Sequence, residues 1–180
     1  MEHSQRNTTM RAAIEWVESL AFATALLVLV FVFFVRAVTV SGSSMESTLI
    51  GGDKILVRSI GYMPKRGDVI VVDGYTEYGE PLVKRIIGLG GDEIDINFET
   101  SEVFVNGMLL DEPYVGSTPF RKGDVSFPLT VPQGMAFVMG DNRRESLDSR
   151  DTSVGFIDTR DILGKVFFRV LPLSSIGVIK

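Results

Sequence analysis

The stretch LVKRIIGL, Leu82 to Leu89, decides the fold. It is apolar enough to be buried on both faces of a sheet, yet it carries two adjacent cations. Strand alternation groups Lys84 with Leu82 and Ile86, and Arg85 with Val83 and Ile87. Lysine is almost never fully buried without a reason. Two ordinary reasons are an edge strand whose lysine blunts aggregation and a stem that packs while its amine reaches water. The functional reason is a desolvated amine of lowered pKa, acting as general base for a nucleophile.

Outward from this stretch the texture stays β-like. KILVRS (54–59), DVIVVD (68–73), DEIDIN (92–97), MAFVM (135–139) and GKVFFRV (164–170) read as strands bounded by Gly, Asp and Pro. EVFVNGMLL places Asn106-Gly107 between apolar runs, the signature of a type I′ hairpin. PYVGSTPFRKGD (113–124) reads as an exposed loop. Residues 41–180 are therefore expected to form an all-β domain of curved antiparallel sheets.

Upstream lies LAFATALLVLVFVFFV, Leu20 to Val35, without a single charge. Apolar character resumes after Arg36, so residues 19–40 are expected to form one transmembrane helix, preceded by a short segment, residues 1–18. A cleaved signal peptide would have a shorter apolar core followed by a small-x-small site, which Ala37-Val38-Thr39 fits poorly. Charge does not orient the span. Arg6 and Arg11 precede it, while Arg36, Lys54, Arg58, Lys65 and Arg66 follow.

Composition narrows the chemistry. The net charge of −5 argues against a nucleic-acid binder, which needs a basic surface. With no cysteine, thiolate nucleophiles, thiolate metal sites and disulfides are excluded. The single histidine, His3, leaves Ser-His-Asp triads and histidine metal sites without material. No metal or cofactor is expected. Yet SGSSMESTL, Ser41 to Leu49, crowds hydroxyls just past the apolar run. A serine nucleophile there needs a base other than histidine. GDNRRESLDSR, Gly140 to Arg150, follows the MAFVM strand and reads either as a polar surface loop or as a shaped loop around a site.

Together, and in this order, the anchor, the serine stretch, Lys84-Arg85-Ile-Ile-Gly-Leu-Gly-Gly-Asp and the Gly-Asp-Asn-Arg stretch resemble the bacterial type I signal peptidases, peptidase family S26. KRGDVIVV (65–72) resembles a further strand of that family. The resemblance implies a signal-peptidase-like β domain and a membrane-anchored serine endopeptidase using a Ser-Lys dyad. Its partners would be signal-peptide-bearing preproteins and the lipid bilayer. It implies Ser44 as nucleophile, Lys84 as base, Ser146 as the hydroxyl that orients the lysine amine, and Asp148 with Arg150 as a structural ion pair. Gly140 opens the last motif. Gly42 stands where some members supply an oxyanion hydroxyl, and Met45 is expected in the floor of the substrate cleft. Because exported precursors are cut on the far side of the membrane, the β domain would be extracytoplasmic and the N-terminus cytoplasmic. Ser47 and Gly90 replace prolines of the family pattern and Glu145 replaces an asparagine; loss of the prolines is expected to loosen the backbone. Two alternatives are a self-cleaving Ser-Lys peptidase of the repressor type, which would carry a DNA-binding module in place of the anchor, and a catalytically inactive anchored binding module.

Overall fold

The computed structural model describes residues 2–74, 79–116 and 118–179. Ser117 of the expected loop and the side chain of His3 lie outside the described residues. The chain divides into two units, Met1–Arg36 and Ala37–Lys180.

The first unit is dominated by one helix, α1 (Glu2–Phe34). Trp16, Val17, Leu20, Phe22 and the run Leu26 to Leu29 are more than half exposed on it. The expected single span over 19–40 does not hold as drawn: the helix stops at Phe34, and Val35–Thr39 form strand β1. Val35, Val38 and Thr39 are β-branched and suit a pleated surface better than a helix, and β1 is paired with a neighbouring strand. Among the described residues no helix is long and apolar enough to cross a membrane.

The second unit is β, as expected. Its strands are β2 (Lys54–Arg58), β3 (Val69–Val72), β4 (Leu82–Leu89), β5 (Glu93–Asn97), β6 (Glu102–Val105), β7 (Met108–Leu109), β8 (Leu129–Thr130), β9 (Met135–Met139), β10 (Ile157–Asp158), β11 (Ile162–Leu171) and β12 (Gly177–Val178). The larger sheet runs β1-β2-β11-β3-β4-β9-β10, with β12 beside β11. The smaller runs β7-β6-β5-β8. The short strands β8, β10 and β12 carry too few residues to announce themselves in sequence.

Curvature comes from irregular register. β11 pairs with β2, β3 and β12, with register shifts against the first two, and β4 shifts against β9 between Ile86 and Gly88. Such bulges bend a strand and increase its twist. The Asn106-Gly107 turn is present, with φ of 53° and 74° closing β6 onto β7. β4 is not an edge strand. It lies between β3 and β9, with Lys84 opposite Ile70 and Arg85 opposite both Val69 and Met139. The ordinary edge-strand explanation of Lys84 is thereby removed.

Candidate active site

Lys84 is 2 % exposed, in the interior of the sheet. Its Nζ donates to the Ser44 Oγ at 2.8 Å. The two residues line one cleft of about 350 Å³, whose walls come from residues 41–43, residues 80–82, Glu145 and Leu147. Burial is the main influence on the amine and lowers its pKa to about 8. Asp148 and Asp141 work against this shift, and Arg150 works with it. Because Asp148 and Arg150 form an ion pair, their fields largely cancel at the amine, and desolvation decides the outcome. At pH 7 about a tenth of such a lysine is neutral, against well under one per cent for a free one. The backbone N–H of Ser44 has no acceptor among the described residues.

The loop after β9 is tied to the serine segment by backbone and side chain. Asn142 N–H donates to the Ser44 carbonyl at 3.0 Å, and its Nδ2 to the Ser43 carbonyl at 3.1 Å. Gly140 sits where these meet. A Cβ there would lie 2.3 Å from both the Ser44 carbonyl oxygen and the Ser146 Oγ. No other residue fits without moving backbone. Asp148 and Arg150 are fully buried and joined by two hydrogen bonds of 2.8 Å. The Gly140 N–H adds a third bond to the Asp148 carboxylate. Burial pushes the Asp148 carboxyl up, but these bonds and the Arg150 charge outweigh it and hold the group below its usual range. Arg150 also donates to the Arg121 and Arg143 carbonyls, so the brace closes the loop on itself.

Three expectations meet a different arrangement. Ser146 is fully buried next to Gly140, but its hydroxyl reaches the Leu147 carbonyl at 3.5 Å, and the lysine amine is held by Ser44. Met45 is 1 % exposed and packs in the core with Val40, Leu49, Ile55 and Val57, below the serine segment and off the cleft lining. Gly42, at φ 79°, lines the cleft and brings no hydroxyl.

The two missing prolines have local explanations. Ser47 adopts φ 89°, which a proline ring locked near −65° cannot reach. Its hydroxyl instead donates to the Tyr114 carbonyl, tying the serine segment to the loop beyond β7. A Cβ on Gly90 would come within 2.8 Å of the Gln133 Cα and 2.9 Å of the Pro132 carbonyl oxygen. At both points the local geometry excludes a proline.

Sequence reading gave no role to Arg85 and Asp141. Arg85 Nε and Nη2 grip the two Asp141 oxygens at 2.8 and 2.7 Å, almost without exposure. The Thr48 hydroxyl donates to the same carboxylate, and the guanidinium stacks 3.8 Å over the Tyr114 ring. Asp141 thus joins β4, the serine segment and the loop after β9. The signal was an arginine in an apolar run, which must find a carboxylate. Which carboxylate, 56 residues away, was not in the local pattern.

A β domain that buries a lysine amine against a serine hydroxyl, with no acceptor for that serine's N–H among the described residues, has the parts of a serine hydrolase that works without histidine. Comparison with known proteins narrows the class. The family model described as signal peptidase, peptidase S26, matches residues 13–171. Signal peptidase I of Bacillus licheniformis is 33% identical, over 98% of this chain and 98% of its own. Signal peptidase IB of Staphylococcus aureus is 35% identical, over 90% of this chain and 91% of its own. A solved signal peptidase I from Enterococcus faecalis, 30% identical, superposes with a TM-score of 0.48 over 58% of this chain and 97% of its own. The chain belongs to the signal peptidase family, peptidase S26, and is a serine endopeptidase.

Proposed function

We propose that this chain removes signal peptides from exported precursors at a membrane, with Ser44 as nucleophile and Lys84 as general base. The observation that carries the reading is the 2.8 Å bond between a buried lysine amine and a serine hydroxyl. Its relatives along the whole chain are named signal peptidases. Deprotonated, the amine accepts the Ser44 proton as Oγ attacks the scissile carbonyl, and later returns it to the leaving amine. The Ser44 N–H stabilises the oxyanion that forms. Asp148, Arg150 and Gly140 hold the loop that carries Ser146 against the serine segment. Ser146 acts by position, buried against Gly140 with its hydroxyl toward the Leu147 carbonyl.

The helix α1 is the element that holds the enzyme at the bilayer. From Leu20 to Phe34 it offers about fifteen uncharged residues, or about 22 Å of rise. That is short of a hydrocarbon core of about 30 Å, so local thinning of the bilayer and the flanking Trp16 and Arg36 make up the difference. The N-terminus lies on the cytoplasmic side and the β domain outside, where the precursor presents its cut site.

The test is incubation of the full chain with a labelled precursor. The wild type should release the signal peptide, and Ser44→Ala, folded as judged by circular dichroism, should release none. Processing by Ser44→Ala at the wild-type rate removes Ser44 from the mechanism. Extraction of membranes with alkaline carbonate should leave the chain in the bilayer; its release rejects the anchor.

A further inference from the structure

We propose that the cleft selects precursors carrying a lysine or arginine beside the scissile bond, through the carboxylates of Glu80 and Glu145. The inference rests on Ser44 and Lys84 being the reacting pair. Glu80, Lys84 and Glu145 are the charged residues lining the cleft around Ser44. Both glutamates are exposed. Glu145 comes no nearer a cation than 3.9 Å, from Arg144, with both side chains more than 60 % exposed. Glu80 is exposed and makes no hydrogen bond or ion pair among the described residues. Arg85, Arg143 and Arg150 are buried against Asp141, Glu112 and Asp148, and the pairing of Arg144 with Glu145 is long and solvent-exposed.

The catalytic state makes the asymmetry sharper. To act as base, Lys84 must be neutral, and its charge then vanishes from the lining. Among the described residues lining the cleft, what remains charged is two carboxylates. A cleft lined by one sign of charge concentrates ligands of the other sign and repels those of its own. Glu145 adds one of these charges where the family pattern has an uncharged asparagine.

Each exposed, partly screened ion pair contributes roughly a factor of two to five. A substrate with lysine at the right position should therefore be cleaved about tenfold more efficiently than its glutamate counterpart. The test uses the full chain in detergent micelles and peptides that share one cut site. Lysine, norleucine or glutamate is placed in turn at each position flanking the bond, apart from the small residues before it. The readout is the ratio of kcat/KM for the lysine and glutamate peptides, in the wild type, Glu80→Gln, Glu145→Gln and the double variant. The ratio should be about tenfold at one or more positions in the wild type and fall below about twofold in the double variant. It should also shrink in about 1 M salt, where the Debye length is about 3 Å. Equal rates for lysine and glutamate peptides at every position overturn the inference while leaving the peptidase reading intact. A preference that survives in the double variant assigns the selection to other groups and overturns it as well. If the wild type cleaves no peptide at all, the reacting pair is misassigned and the inference falls with it.

Discussion

The two sheets treat charge in opposite ways. In the smaller sheet every buried strand residue is apolar. β5 alternates strictly, Ile94 and Ile96 inward and Glu93, Asp95 and Asn97 outward, and β6 buries Val103 and Val105. The larger sheet and the loops around it hold Lys84, Arg85, Asp141, Arg143, Asp148 and Arg150, all within 2 % of complete burial. The first is stabilised by area removed from water. The second keeps buried ion pairs whose desolvation costs about as much as their attraction returns, so they contribute little net stability. What they contribute is position: Arg85–Asp141, with Thr48, ties β4, the serine segment and the loop after β9 together, while Asp148–Arg150 braces that loop and Arg143–Glu112 ties it to the segment beyond β7. Among the described residues the buried charges are confined to the larger sheet and its loops, which carry apolar cores of their own as well.

The contrast is most directly broken at Lys84. Lys84→Arg keeps the charge but cannot deprotonate in the working range, and kcat/KM should fall by about a thousandfold or more. In the wild type the charged amine is the inactive form, so kcat/KM for a short peptide should rise with pH through about 8 and then level off. A profile flat from pH 6 to 10, roughly two units either side of that value, would take the lysine out of the chemistry.

The brace separates electrostatics from folding. Removing one member of a buried pair costs about 3–5 kcal/mol, so Arg150→Met and Asp148→Asn should both lower the melting temperature markedly. Their pH profiles should move in opposite directions. Without Arg150 the Asp148 charge stabilises the protonated amine and the acidic limb moves up. Without the Asp148 charge the Arg150 cation disfavours it and the limb moves down. Shifts of the same sign would mean that the brace does not act on Lys84 through its charges.

In the smaller sheet, Ile94→Ala should cost about 2–4 kcal/mol of stability through the cavity it leaves. The pH profile should stay in place below the melting transition, since no buried charge moves. A displaced profile would show that the two sheets are not independent. The smallest effect tests local backbone. Ser47→Pro places a ring where φ is 89° and removes the tie to Tyr114, which should cost about 1–3 kcal/mol. An unchanged melting temperature would mean that the serine segment adopts another backbone at no cost.

Much of this molecule can be read from periodicity. The alternation in DEIDIN, the apolar run around Lys84 and the Asn106-Gly107 turn each describe short-range geometry, and each appears in the structure where the pattern puts it. The order of the serine, lysine and Gly-Asp-Asn motifs identified the family, because those residue types must meet to do one chemistry. Three things came only from the tertiary structure. The helix gives way to a strand at Val35 because β1 finds a partner in β2, and apolar composition alone does not distinguish a span from a paired strand. The partner of Arg85 is Asp141, and the Ser146 hydroxyl turns to the Leu147 carbonyl, because in a closed interior each donor bonds the acceptor that packing brings within reach. The pKa of the lysine is lowered for the same reason. Its side chain is the same in any sequence, but desolvation belongs to the fold that buries it on a strand between β3 and β9 and lowers its pKa to about 8.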